Sequence, residues 1–509
     1  MQRRLPMSRM PAAAVPKTPA MPRRPKRRYL ALAGIASIAA APGLASAAST
    51  GHATAAGGLP DVPIKHVIEI MIENHTFDNL FGSFPGADGI PANTAPNVSP
   101  AWAGPNEGDV MSALNNSAAV EQKAMDYQPG KGYQMDHYTG MAPVTEFGPQ
   151  FDPNEQYLAR SYELADHNFQ PVIAPTQPNV MTALNGTDHG WVYNNRQPGA
   201  TQPWNSIFDE LTARGRTWKI YYALPPSALS GTIWGQIIPS GHPAGLTTGN
   251  AFFSDLSSGS LPEFSFVRPG VGYSTEAEED IGEGDAWVGQ LVNAVAHSRY
   301  WDSTAIFVTY DEGGGFWDHV APPVSPGYGT RTPTIIVSPY ARRGVFHQQT
   351  TNVSILSFMQ HLWGLAPLTR LNARQNDLMS AFSFRQKPLP APDVPVAPAD
   401  TIAFHGTGGI LTDIGAPKPG RPLTVNLEAE TGGLSLDSAA SGPVNLTVTP
   451  PSGVAVPAGF PSSVTLAGGQ ANFTVRFPTA GYYRIAAAGP DGSKGWVTVD
   501  VGVNPNTAP

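Results

Sequence analysis

The sequence contains no cysteine. That absence excludes a disulfide framework, a thiol nucleophile and thiolate metal ligands, so any metal centre must be built from oxygen and nitrogen donors. Charged residues are scarce, at 14% of the chain. No Gly-x-Ser-x-Gly elbow occurs, which disfavours a serine esterase, and the missing cysteine also removes the usual precursor of a sulfatase formylglycine. Past the N-terminal segment no stretch reads as a membrane span. Positive charge is thin as well: nine Arg and Lys fall in residues 1–28, and the formal net charge of −8 becomes −17 once residues 1–47 are set aside. A nucleic-acid binder needs a basic footprint, which the remainder lacks. An acidic protein that handles an anionic substrate must neutralise charge locally, and a metal ion does so.

What is present begins with that basic N-terminus. It leads into the apolar run YLALAGIASIAAAPGLASA and the small-residue pattern Ala45-Ser46-Ala47, the form of a cleavable export signal over residues 1–47. Residues 48–62 read as a flexible leader. From 63 to 385, strand-like runs (HVIEIMI, TWKIYYAL, TAIFVTY, TPTIIVSPY) alternate with helical stretches near 203–214, 285–298 and 353–364. That alternation predicts an α/β domain with a mostly parallel sheet, with its site at the carboxyl ends of the strands. The segment 386–416 opens on QKPLPAPDVPVAPAD and reads as a proline-rich linker. Residues 417–505 switch to short alternating strands with Gly, Pro and Asp turns, the pattern of a small immunoglobulin-like β-sandwich.

Three segments carry chemistry. In HVIEIMIENHTFDNLFG an apolar strand ends in Glu73 and Asn74, two adjacent oxygen donors; the same pair also occurs as a helix cap. In FVTYDEGGGFWDHVAPP, Asp311 and Glu312 end a second apolar run, and two acids there repel unless a proton or cation lies between them. Three glycines then let the backbone pass close to something, before Asp318 and His319. In NFQPVIAPTQPNVMTALNG, Thr176 precedes a helix with Pro178 in its first turn. A threonine there caps the helix or, beside the orphan amides that favour phosphate, attacks it.

Together IENHTFDNLFG, PTQPN, LPEFSFVRP, TYDEGGGFWDHVAPP, TPTIIVSPYARRGVF and SILSFMQHLWGL resemble the bacterial phosphoesterase family, which includes phospholipases C and an acid phosphatase on an alkaline-phosphatase-like, three-layer core. The resemblance covers about 64–390. It implies that Glu73, Asn74, Asp311 and Glu312 hold a divalent metal (Ca, Mg, Mn, Fe or Zn), and that Thr176 touches the metal and is the nucleophile. It places Asn179 near the phosphate and His319 in the pocket. His319 and His137 are the candidate proton donors, and His242 is a candidate phosphate contact. The chain departs from the family at Val180, where His or Arg is common. It departs also at Glu278, Glu279 and Asp280, which stand in a His-rich region, and at Asn352, which replaces a histidine. The expected function is hydrolysis of phosphate esters or phospholipids after export. Phospholipase C is weighed ahead of acid phosphatase, with a non-catalytic metal-containing binding protein as the rival.

Overall fold

Val67, Ile68, Ile70, Met71 and Ile72 are all fully buried, so the first strand is covered on both faces rather than alternating in and out. This burial makes it a central strand. A computed structural model describes, with short interruptions, residues 62–91, 99–100, 122–135, 145–194, 204–222, 246–269, 274–395, 401–406 and 418–502. Eight strands form the main sheet: β1 (His66–Ile72), β2 (Glu163–Ala165), β3 (Trp218–Tyr221), β4 (Leu246–Thr247), β5 (Phe264–Val267), β6 (Thr304–Tyr310), β7 (Thr334–Val337) and β8 (Gly344–Phe346). Their spatial order is β8-β2-β7-β6-β1-β5-β3-β4. Every neighbouring pair is parallel except the two that involve β7, which runs against β6 and β2. The mixed, mostly parallel α/β class expected from the alternating pattern is the one observed.

The helices that matter for the site are α1 (Phe77–Phe81), α2 (Pro153–Ser161), α3 (Thr176–Asn185), α4 (Ile207–Ala213), α5 (Asn250–Ser258), α6 (Ile281–Ala296) and α7 (Val353–Trp363). Helix α2 packs with α6, and α3 with α7. The α2 N-terminus is capped from outside: the Asp285 carboxylate accepts from the backbone N–H groups of Asn154 (3.0 Å) and Glu155 (2.8 Å). Burial lifts the Asp285 pKa to about 7 against the pull of these amides.

The register of β1 against β6 runs from His66 opposite Thr304 to Ile72 opposite Tyr310. The two strands therefore end side by side, and Asp311 N donates to Ile72 O at 3.0 Å. Strand β5 lies on the other side of β1 and ends at Val267, delivering Arg268 to the same edge. Because β7 is reversed, it is the stretch before it, Thr330–Pro333, that reaches this edge.

Proline-rich chain follows. Its first part is held on the α/β core, with Leu389 N bonded to Pro339 O (2.8 Å) and the Asn293 amide bonded to both backbone groups of Val394. The stretch read as linker also contains a strand, β9 (Thr401–Gly406). It belongs with β10 (Pro422–Thr431), β11 (Ser435–Leu436), β12 (Gly442–Thr449), β13 (Ser463–Leu466), β14 (Gln470–Arg476), β15 (Gly481–Ala488) and β16 (Lys494–Val501). The linkage is β11-β10-β9-β16-β15-β12-β13, with β14 also on β10. Alternate residues of β10, β12, β14 and β15 turn inward to one core that includes Val425, Leu446, Val475 and Ile485. A β9–β10 pairing six residues long, with Thr401 also opposite Lys494 of β16, explains why a Pro-flanked segment is a strand: it bridges β10 and β16.

Candidate active site

Glu73 leaves β1 with its backbone held by Ser274 and Thr275: its N–H donates to Ser274 O (2.9 Å) and its carbonyl accepts from Thr275 Oγ1 (2.8 Å). Asn74 then takes a left-handed conformation (φ 64°) that its short amide side chain tolerates. Its backbone N–H points at Asp311 Oδ1, 3.4 Å away. The glycine run is explained by the same close approach. A Cβ on Gly314, whose φ is 62°, would lie 2.2 Å from the carbonyl oxygen of Asn74, and one on Gly313 would lie 2.2 Å from Thr330 Oγ1. Two strand ends are thereby interlocked, with no room for side chains between them.

Thr176 opens α3 and sends its hydroxyl across to β1, where Oγ1 donates to Glu73 Oε2 at 2.9 Å. Pro175 occupies the cap position and makes no side-chain cap bond, so Thr176 is the first helical residue rather than the N-cap. Asn179, one turn on, faces backward into its own loop. Its Oδ1 accepts from Val172 N (3.2 Å) and its amide donates to the carbonyls of Ala174 and Pro175. Val180 is core.

The sequence reading missed Arg268. Its guanidinium, 2% exposed, pairs with Glu73 through Nη2 and lies 3.6 Å from Asp311 Oδ2 through Nη1. Neither Nε nor Nη1 has a hydrogen-bond acceptor among the described residues. The available signal was positional: FSFV is an apolar run that ends, like β1 and β6, in a charged residue. Glu73, Asn74, Thr176, Arg268, Asp311 and Glu312 are each no more than 3% exposed.

His319 sits in a neighbouring network rather than on Thr176. Its Nδ1 is 2.7 Å from Asp78 Oδ2, and its backbone N–H donates to the same carboxylate. Arg331 joins this network, donating through Nη2 to Asp78 and through Nε to Asp318, both at 2.8 Å. Burial pulls the His319 imidazole down, but the hydrogen bond and charge of Asp78 outweigh it and leave its pKa raised. His75, within the opening motif, turns into an aromatic pocket against Phe316, Tyr310 and Phe147. Burial there holds it neutral, with a pKa of about 4. His137, His242, Glu278, Glu279 and Asp280 lie outside the described residues. Asn352, where the resemblance led to the expectation of a histidine, ties α7 to the end of β6: its amide donates to Tyr310 O (2.8 Å) and its Oδ1 accepts from Asn168 (2.8 Å).

The groups at these strand ends are oxygen donors, the type a hard divalent cation takes, but Glu73, Asp311 and Glu312 are not among the described carboxylate and imidazole groups whose ligand atoms lie within 4.8 Å of one another. Glu73, Asp311 and Glu312 bring three formal negative charges into a buried site where Arg268 supplies one positive charge. With Asn74 and Thr176 they would offer a metal an all-oxygen set, of the type that suits Ca, Mg or Mn, with Fe and Zn compatible.

A family model described as the Phosphoesterase family matches residues 64–366. A non-specific phospholipase C of Arabidopsis thaliana is 26% identical over 347 residues, spanning 59% of this chain and 66% of that protein. Phospholipase C B of Mycobacterium tuberculosis is 25% identical over 456 residues, spanning 72% and 87%. The chain thus spans just under two thirds of the plant relative. Among solved structures, a protein in the alkaline phosphatase superfamily from Vibrio parahaemolyticus aligns with a TM-score of 0.34 and 13% identity, over 57% of this chain and 73% of that one.

Proposed function

The chain belongs to the Phosphoesterase family, and on that premise we propose that it is an exported, metal-dependent hydrolase of phosphate esters that works through Thr176 and favours phospholipase C-type diesters. The observation that carries this reading is the Thr176–Glu73 hydrogen bond beside the buried Arg268 guanidinium, whose Nε and Nη1 lack acceptors among the described residues. A tetrahedral anion with non-bridging oxygens supplies such acceptors.

Glu73, Asn74, Thr176, Asp311 and Glu312 would hold the metal, which when bound supplies Lewis acidity and lowers the pKa of a hydroxyl. The chain's own groups do the rest. Thr176 commits its proton to Glu73, leaving the oxygen lone pairs for phosphorus. The α3 N-terminus, a ten-residue helix, places its positive end beside the same phosphate. Arg268 neutralises charge on the non-bridging oxygens. Thr176 Oγ1 forms the bond to phosphorus as the P–O bond to the alcohol breaks; the alcohol leaves protonated, and water then cleaves the phosphothreonine. His319 or His137 is the proton donor, and the raised pKa of His319 suits that role. Asn179 contributes by holding the Val172–Pro175 loop that aims Thr176.

One guanidinium suits the monoanion of a diester better than the dianion of a monoester, and the relatives described above are named phospholipases C. Acid phosphatase activity is the alternative. No helix among the described residues is long and apolar enough to cross a membrane. Export with cleavage after Ala47 completes the proposal, and the mass of the mature protein reads it directly.

The test is hydrolysis of a chromogenic phosphocholine diester and a phosphomonoester, each with and without chelator. Thr176→Ala is expected to lose on the order of 10³-fold or more in kcat. Arg268→Lys, which keeps the charge but loses the fork, is expected to lose about ten- to a hundredfold in kcat/KM. Absence of turnover with every divalent ion would favour a non-catalytic binding protein, and a preference for the monoester would favour the phosphatase.

A further inference from the structure

Two groups of carboxylates and imidazoles lie at the carboxyl edge of the sheet beside the strand-end oxygen donors: Asp78, Asp318 and His319, the last already given a part in the proposed reaction, and Asp166, His167 and His347. They differ in what already balances them. In the first, Arg331 is inserted between the acids and bonds both, so an internal cation neutralises the group. Among the described residues the second has no such insertion. Arg331 reaches it through Nη1, which donates to the backbone carbonyls of Asp88 and Asp166 (both 2.8 Å), while its side-chain ion pairs are with Asp78 and Asp318.

We propose that Asp166, His167 and His347 form a second metal site that binds a divalent transition-metal ion, with Asp88 orienting His167. The fold places the ligands together for a simple reason. Strands β2 and β8 are parallel neighbours with Phe346 opposite Ala165, so the residues that follow them, Asp166 and His347, leave the sheet side by side. Asp166 is fully buried and sits between the two rings: its Oδ1 is 2.9 Å from His167 Nδ1 and its Oδ2 is 2.8 Å from His347 Nδ1. Asp166 Oδ2 also accepts from Asp88 N at 2.8 Å. The candidate ligand atoms all lie within 4.8 Å of one another. Tetrahedral coordination at ordinary metal–nitrogen lengths sets ligand atoms about 3.3 Å apart, a small outward relaxation of the two Asp166–imidazole contacts.

An independent feature of the site points the same way. A ligating histidine characteristically gives its other ring nitrogen to a carboxylate, which fixes the tautomer and raises the basicity of the ligating nitrogen. His167 has that arrangement, with Nε2 3.2 Å from Asp88 Oδ2 while Nδ1 faces Asp166. The His347 side chain is 60% exposed, which leaves solvent room to complete the coordination sphere. Two imidazoles and one carboxylate select zinc, iron, cobalt or nickel over magnesium and calcium. The donor set thus differs from the all-oxygen set of Glu73, Asn74, Thr176, Asp311 and Glu312. The two metal sets lie on strands two apart, β2 and β6, about 10 Å across the sheet, while Asp88 also faces His319 Nε2 through Oδ1 at 3.6 Å.

The proposal is tested on the mature full-length protein, stripped with chelator and then titrated with Co²⁺ and with Zn²⁺, counting bound metal by mass spectrometry. His347→Ala and His167→Ala are compared with Asp311→Asn, circular dichroism serving as the check on folding. The expected result is a Co²⁺ visible spectrum with imidazole character that persists in Asp311→Asn and is lost, with one equivalent of metal, in both histidine variants. Asp88→Asn should retain the spectrum but bind about ten- to a hundredfold more weakly. Wild-type protein that takes up no imidazole-ligated Co²⁺, or histidine variants that match it in stoichiometry, affinity and spectrum, would overturn the site. Either result leaves the reading of Thr176 untouched, because hydrolysis is measured separately.

Discussion

Glu69 lies in the middle of β1 with 1% of its surface exposed, and its Oε1 has no hydrogen-bond partner among the described residues. Burial raises its pKa from 4.5 to about 8, with the positive charge of Arg268 pulling the other way. The folded-state value lies above the unfolded one, so the native protein keeps a proton that the unfolded chain releases between those two values. Stability is then greatest below about pH 4.5 for this group and falls as pH rises toward 8. Glu69→Gln is expected to remove a slope of at most about 1.4 kcal/mol per pH unit across that window, read by urea unfolding at a series of pH values. An unchanged slope would mean that Glu69 is ionised in the native state, and Arg268 would then be balanced by it as well as by Glu73.

Helix α3 is aimed by the loop before it more than by its own cap. Asn179 ties Val172, Ala174 and Pro175 to the first turn, and Thr176 inherits its position from that knot. Asn179→Ala is expected to cost about 1–3 kcal/mol of stability and to lower kcat more than it raises KM, because the hydroxyl is misplaced while Arg268 is intact. A change in KM alone would instead return Asn179 to the direct phosphate contact read from the sequence. The strand ends at Glu73 and Asp311 were legible because an apolar run that stops at an acid is a local signal, and the glycines beside Asp311 marked the close approach to Asn74. Arg268 and Arg331 were not, since a lone arginine after a strand or before a reversed one takes its meaning from neighbours in space. The reversal of β7 was equally hidden: TIIV reads the same in either direction. Strand β9 went unread because proline and glycine surround it, and it is pairing with the distant β10 and β16 that makes it a strand.

At the scale of the molecule, the α/β core and the C-terminal β core are built from separate sets of residues. A chain ending after Val394, which keeps the Leu389 and Val394 bonds to the α/β core, is expected to fold and to hydrolyse a soluble chromogenic diester within about twofold of full length, measured as kcat/KM. Loss of activity or of the cooperative unfolding transition would show that the β16 sheet is needed by the catalytic part. The central position of β1 has a further consequence, for the order in which the molecule comes into being. Its two sheet partners, β5 and β6, are both made long after it. At ordinary rates of synthesis the gap before β5 emerges is roughly ten to forty seconds. Throughout that interval HVIEIMI is an apolar segment with both edges bare, the kind of sequence that finds another copy of itself. The interval closes only when β5 and β6 cover those edges, so this strand is open to pairing with a second nascent chain until most of the sheet has been made.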